Sequence, residues 1–253
     1  MISRKALQYY SSLLKKKYRK TENKFIVEGK KSVLEGLNSS YNCEIVFTTN
    51  KFIENNKAAK AIIEKKKVKI EILKQKQFQM FSDTETPEGI AAVFVKPKIQ
   101  FSVDDFTKEK IIVMLDNISD PGNLGTIIRN CDWFGVKNIL LSENTVEYTN
   151  PKVIRSTMGS VFHLNIFEEI KIESLLNLKE KGFEILCADM EGESIFKYKS
   201  DKKKILVLSN ESHGVSKDIE AVSDREISIP RIGSAESLNV ASASAVLLAE
   251  LTK

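Results

Sequence analysis

The chain reads as an α/β protein with a parallel sheet in its second part. Three observations predict this. Short apolar runs alternate with helix-length stretches, the alternation pauses at residues 96–107, and the runs after the pause are short, largely apolar and separated by helices, as in a parallel sheet covered on both faces. Composition agrees: 42% hydrophobic and 29% charged residues, with only 11 Gly and 5 Pro in 253 positions, describe an ordinary globular chain rather than a disordered, collagenous or membrane one. That length admits one large domain or two modest ones.

Taken in order, residues 5–20 predict a basic helix. Phe25-Ile26-Val27-Glu28-Gly29 is a short apolar segment leading into a helix over 30–37. Strands are expected at 44–48, 68–73 and Ile90–Val95, with helices at 51–65 and 74–81 between them. This makes a small α/β unit over residues 1–98. Residues 96–107, with Pro97 and little apolar periodicity, read as a linker. A second unit, 108–253, begins with an apolar strand at 111–115 ending on Asp116 and continues with strands at Asn138–Leu141, 183–188, 205–208 and 226–229, each followed by a helix. Parallel sheets of this kind bind ligands at the carboxyl ends of their strands, so the residues after Leu115, Leu208 and Ile229 are where chemistry is sought.

The distribution of charge separates the same two parts. Residues 1–100 carry 21 Lys and Arg against 10 Asp and Glu, a net of +11, which leaves 18 against 24, a net of −6, for the rest. A basic module joined to an acidic one suits a polyanion reader attached to a catalytic or regulatory domain, although lysines such as Lys65, Lys66 and Lys67 also serve simply to solvate a helix. Cys43, Cys131 and Cys187 are odd in number and form no CxxC pair, which points to a reducing, cytoplasmic setting and away from a disulfide framework. With only His163 and His213 available, no familiar zinc spacing exists, and no metal is expected. The basic N-terminus lacks the apolar core of a signal peptide, and no apolar run is long enough to span a bilayer.

Three segments follow strands. In DNISDPGNLGTIIRNCDWFG, Asp120-Pro121-Gly122 predicts a turn, with Gly122 free to take a positive φ, before a helix carrying Asn123 and, six residues on, Arg129. A lone arginine there is also read as a surface ion-pair residue. In LVLSNESHG, a buried strand runs into a polar loop that lacks the glycine-lysine pattern of a phosphate loop. In IPRIGSAESLNVASASAVLLAE, Pro230 ends a strand, Gly233 allows a bend, and Ser237 is placed to cap a closing helix rich in Ala and Ser, over 238–251. Taken singly, Ser237 and Asn239 are as well read as capping residues as functional ones.

Together, and in this order, Asn123 and Arg129, then Ser209-Asn210-Glu211 with Gly214, then Ile229-Pro230 with Ser237-Leu238-Asn239 closely resemble the three signature motifs of the SpoU (TrmH-like) RNA ribose methyltransferases of the SPOUT superfamily. Arg155-Ser156-Thr157-Met158-Gly159 is similar to the family's segment between the first two motifs, while residues 25–29 and 86–93 (TPEGIAAV) look like the edges of its substrate-binding domain, which resembles a small ribosomal protein. The family's second motif usually has Gly where this chain has Ser209 and Ser212. The resemblance implies a C-terminal domain with a deep trefoil knot, a homodimer with its active site at the interface, and S-adenosylmethionine as methyl donor. It implies donor binding by Leu208, Ser209, Asn210, Gly214, Ile229, Pro230 and Leu238, and catalytic roles for Asn123, Arg129, Glu211, Ser237 and Asn239.

Methyl transfer to a ribose 2′-hydroxyl is an in-line displacement from a sulfonium, so the site needs positioning and a route for the hydroxyl proton. A guanidinium is normally fully protonated, which makes holding the target phosphate or hydroxyl the natural role of Arg129. The substrate expected is ribosomal or transfer RNA. Two other readings remain at this point: an RNA-binding or ribosome-assembly protein that keeps the fold without catalysis, and an enzyme using another nucleotide. Binding of the methyl donor discriminates among the three.

Overall fold

The computed structural model describes residues 2–210 and 214–253. It divides into two compact units, the first made of residues up to Lys98 together with Tyr148–His163, the second of Ile99–Glu147 with Leu164–Lys253.

The first unit opens with helices α1 (Arg4–Ser12) and α2 (Lys16–Glu22), where the sequence predicts one. The break is made by Arg19, almost fully buried, whose Nη1 donates to the carbonyls of Leu13 (2.9 Å) and Leu14 (2.6 Å) and so takes over the end of α1. Then follow β1 (Lys24–Glu28), α3 (Lys30–Asn38), β2 (Cys43–Thr48), α4 (Asn50–Asn55), α5 (Lys57–Lys65), β3 (Lys69–Ile72), α6 (Gln75–Phe78) and β4 (Ile90–Val95). The single helix expected over 51–65 is divided at Asn56, which leaves the helical region (φ −133°, ψ 59°). The sheet order is β1-β4-β2-β3, with β4 antiparallel to β1 and β2 and a parallel β2/β3 pair. One face of this sheet buries Ile26, Ile45, Phe47 and Val93 with Leu7, Leu13, Phe78 and Phe81.

The second unit starts before its first strand. Phe106, in a short 3-10 turn (Val103–Phe106), is buried against Phe101 and Phe167, so part of the expected linker belongs to the core. Next come β5 (Ile111–Asp116), α7 (Pro121–Trp133) and β6 (Asn138–Leu141). The chain then contributes Tyr148–His163, with α8 (Pro151–Thr157), to the first unit. There Phe162 packs against Phe94 (centroids 5.1 Å apart), Phe25 (6.5 Å) and Tyr41 (5.0 Å). Gly36 lies beneath it, where a Cβ would come within 2.7 Å of the Phe162 ring. The segment falls within residues 108–253, where the sequence alone assigns it to the second unit; its burial follows aromatic partners more than sixty residues earlier in the chain.

Back in the second unit are β7 (Asn165–Phe167), α9 (Ile172–Glu180), β8 (Phe183–Ser194), β9 (Lys203–Ser209), α10 (Lys217–Glu220), β10 (Arg225–Ser228) and α11 (Val240–Leu251). The sheet runs β10-β8-β9-β5-β6-β7, and every pairing is parallel, as expected. Two expectations fail. β7, only three residues long, is too short to show a pattern in sequence. No helix follows β8: residues 195–202 return helix-free to β9, fixed by the buried Glu184, which accepts from Tyr198 Oη (2.7 Å), Ser200 Oγ (2.9 Å) and Arg225 Nε (3.0 Å). Gly192 of β8 meets β10 so closely that a Cβ would lie 2.5 Å from the Glu226 carbonyl carbon. No helix among the described residues is long and apolar enough to cross a membrane.

Candidate active site

The carboxyl edge of the second sheet gathers the three segments. β5 and β9 end side by side, with Asp116 in register with Ser209. Asp116 is buried, and its two oxygens accept from Asn117 Nδ2 (3.0 Å) and from the backbone N–H of Ser216 (2.8 Å), which pins the far side of the second segment to the end of β5. Asn210 Nδ2 donates to Ser119 Oγ (3.2 Å), a second tie between the first and second segments. Asn210 also bridges Gly214, whose φ of +66° suits glycine. Ser209 ends β9 without a positive φ, so its Cβ is accommodated. Glu211, with Ser212 and His213, lies outside the described residues.

The first segment differs locally from expectation. Asp120 is the N-cap of α7, its Oδ1 accepting from the Asn123 N–H (2.8 Å), and Pro121 and Gly122 are the first helical residues rather than a turn. Proline is suited to that position because its missing N–H would have no helical partner. Gly122 does not adopt a positive φ; its missing Cβ leaves room for the capping carboxylate, which would lie at 2.9 Å.

In the third segment the closing helix begins at Val240, not 238, and its N-cap is Asn239, not Ser237. Asn239 Oδ1 accepts from the N–H of Ala241 (3.0 Å) and Ser242 (3.4 Å), while its Nδ2 donates to Asn123 Oδ1 (3.0 Å). One side chain therefore caps α11 and joins it to the start of α7. Asn130, the residue after Arg129, completes the union by donating Nδ2 to Ala241 O and Ser244 Oγ, both at 2.9 Å. Because β10 sits at one sheet edge and Asn123 follows β5, residues 229–238 span the carboxyl ends of β8 and β9. Ile229 is half-buried; Pro230, Ser237 and Leu238 are exposed. Among the described residues, 231–238 make no backbone-to-backbone hydrogen bond.

Arg129 is exposed and has no ion-pair partner among the described residues. It shares an outward stripe of α7 with Thr126 and Trp133, the latter 84% exposed. Thiol chemistry is disfavoured here: burial pushes the Cys131 thiol up, and Cys187 to about 11. What the site offers is a guanidinium with no ion pair among the described residues, carboxamides and hydroxyls, and a long exposed loop without backbone-to-backbone hydrogen bonds among the described residues. The missed residues, Asp116 and Asn130, carry one faint sequence signal, a polar side chain at the end or on the inner face of an apolar element.

Known proteins resemble this chain over both of its parts. A sequence model of the SpoU rRNA Methylase family matches residues 110–249, and one of the MRM3-like substrate binding domain matches residues 5–92. The chain is 29% identical over 243 residues (96% of this chain, 94% of the other) to the 23S rRNA (guanosine(2553)-2′-O)-methyltransferase RlmP of Bacillus subtilis. Among solved structures, a TrmH-family protein from Porphyromonas gingivalis is similar with a TM-score of 0.85 at 30% identity, covering 99% of this chain and 98% of that one. The SpoU methyltransferase AviRb from Streptomyces viridochromogenes, solved in complex with AdoMet, shares the fold with a TM-score of 0.88 at 22% identity, covering 99% and 97%. With its catalytic unit matched over more than half the chain and its three segments assembled at one sheet edge, the chain belongs to the SpoU rRNA methylase family.

Proposed function

We propose that the chain transfers a methyl group from S-adenosylmethionine to a ribose 2′-hydroxyl of ribosomal or transfer RNA. The observation that carries this reading is the union of the three segments at the carboxyl edge, made by the Asn239–Asn123 and Asn210–Ser119 bonds. The residues fit the donor. Leu208 is buried at the end of its strand, Leu238 and Ile232 present exposed apolar surface, and residues 231–238, which make no backbone-to-backbone hydrogen bond among the described residues, offer N–H groups to an adenosyl moiety even though Arg231 Nη1 donates to the carbonyls of Ala235 (3.4 Å) and Glu236 (3.5 Å). Leu208, Ser209, Asn210, Gly214, Ile229, Pro230 and Leu238 hold it in this reading. When bound, it supplies an electrophilic methyl on a sulfonium.

The protein's own groups position the acceptor. Arg129, exposed and without an ion pair among the described residues, holds the phosphate beside the target ribose and orients the hydroxyl. Asn123, tied through Oδ1, keeps Nδ2 for the ribose, while Ser237 and Asn239 order the loop and Glu211 anchors the second segment. The outward stripe of Thr126, Arg129 and Trp133 supports a homodimer in which Arg129 serves a site completed by the second copy. Residues 208–210 and 229–239 belong to the loops we read as knotted. Three unpaired thiols support a cytoplasmic setting, and the basic first unit is the RNA reader.

The test is calorimetric titration of the protein with S-adenosylmethionine, followed by nucleoside mass spectrometry of RNA from cells with and without this protein. Donor binding and loss of one 2′-O-methylated nucleotide are expected. A folded protein that binds no donor, with or without RNA, would return the chain to an assembly role.

A further inference from the structure

The first unit contains a groove lined by none of the methyl-transfer residues. It has a volume of about 1040 Å³, is open to solvent, and lies where β2, β3 and the loop before β4 end. A second cavity of about 610 Å³ shares Phe52, Asn56 and Glu88 with it and reaches Lys30 and Lys31, so the two form one continuous concave surface.

Its floor is rigid, and its rim is uncommitted. Thr49 donates its N–H to Gly89 O (3.0 Å) and accepts from the Phe52 N–H through Oγ1 (3.2 Å), while Thr48 Oγ1 donates to the same Gly89 carbonyl (3.1 Å). Gly89 holds φ +87°, and a Cβ there would stand 2.6 Å from Thr49 Oγ1. By contrast, the side chains of Asn50, Lys51, Asn55, Lys74 and Gln75 have no hydrogen-bond or ion-pair partner among the described residues. Ile72 beside them is 51% exposed.

We propose that this groove receives a single unpaired nucleotide of the RNA, so that the first unit selects its substrate by an extruded base rather than by charge alone. Primary carboxamides both donate and accept, which matches the mixed edges of a nucleobase. Ile72 gives the base an apolar surface, and Lys51 and Lys74 neutralise the flanking phosphates. A paired A-form helix cannot present its bases this way, because its major groove is too narrow for side chains. The larger cavity, at about 1040 Å³, stands at the upper end of small-ligand sites and has room for a nucleotide. This inference rests on the RNA-modifying reading above and goes beyond it, naming the structural feature that is read and the residues that read it.

The experiment uses the full chain and two RNA hairpins identical except for one bulged 2-aminopurine nucleotide. Wild-type protein should bind the bulged hairpin at least about tenfold more tightly than the paired one, with a change in 2-aminopurine fluorescence. The variant N50A/N55A/Q75A, whose exposed substitutions leave the floor intact, should lose that preference and keep its affinity for the paired hairpin. A 4-thiouridine bulge should cross-link to peptides within 49–56 or 72–77. Equal affinity of wild-type protein for both hairpins, an unaltered preference in the triple variant, or cross-links confined to other peptides would overturn the proposal while leaving RNA binding intact. Binding to neither hairpin would overturn both it and the RNA-reader role of this unit.

Discussion

Replacing Asn239 by Ala removes two interactions with one substitution, and the structure allows them to be separated. As N-cap of α11, Asn239 satisfies the N–H groups of Ala241 and Ser242, and losing such a cap costs about 1 kcal/mol. Its Nδ2 bond to Asn123 Oδ1 is exposed and neutral, worth about 0.5 kcal/mol. Asn239→Ala should therefore cost about 1.5 kcal/mol, and Asn123→Ala, which leaves the cap and its own backbone bond to Asp120 untouched, about 0.5 kcal/mol. For a chain of this size these become decreases in melting temperature of about 3–6 °C and 1–2 °C. In the double variant the second substitution has nothing left to break, so its stability should match Asn239→Ala alone. Thermal melts followed by circular dichroism measure all three, and methyl-transfer assays on the same samples should show both single variants impaired more than their stability explains. Equal destabilisation by the two single variants, or strictly additive effects in the double, would refute the coupled arrangement.

Arg129→Ala should abolish methyl transfer with donor affinity near wild type by calorimetry, and Arg129→Lys should also be poor, since an ammonium does not reproduce the planar fork; near-normal turnover of either would remove Arg129 from the reaction. Burial works to raise the Glu184 carboxyl, but the hydrogen bonds from Tyr198, Ser200 and Arg225 prevail and hold it below its ordinary value of 4.5. Its contribution is thus complete above pH 4.5 and lost as pH falls through the lower folded value, so Glu184→Gln should lose about 1–3 kcal/mol at neutral pH, with the gap to wild type closing in acid denaturation series. Gly192→Ala should push β10 away, because the new Cβ meets backbone at 2.5 Å, costing about 1–3 kcal/mol in melts and weakening donor binding through the loop that β10 feeds; an unchanged melt would show that the strands part freely. RNA affinity should fall steeply with salt, and several Lys→Glu changes in the first unit should flatten that slope while donor binding holds; an unaltered slope would place the phosphate contacts elsewhere.

Much of this was legible in the sequence because the signals were local. Ile90–Val95, Asn138–Leu141 and the strand ending on Asp116 are apolar runs with clear edges, and they stand where the periodicity puts them. The three polar segments after strands could be read in order, and their assembly at one edge follows from parallel topology. Choosing between Ser237 and Asn239 as cap could not be done locally, since both residue types cap well; the decision comes from Asn123, which gives only Asn239 a partner for its amide. The end of the helix at Leu13 likewise depends on Arg19 folding back onto it. Distance explains the remainder. Asp116 reads as a strand terminus until Ser216 is seen to donate to it, and α8 reads as part of the second unit until Phe162 is placed on Phe94.

That seal by Phe162 bears on how the protein is made. Synthesis proceeds from the N-terminus, so the first unit emerges from the ribosome with the aromatic side of its sheet, Phe25 and Phe94, lacking its cover until residue 162 has been added. At about 5–20 residues per second the wait is roughly 3 to 13 seconds. During that interval the nascent chain carries an apolar face covered only in part, by α3, within a stretch of net charge +11. After completion the same arrangement has the opposite effect: a protease cut between Lys98 and Ile99 would sever the chain without freeing the N-terminal fragment, because Tyr148–His163 remains folded into it.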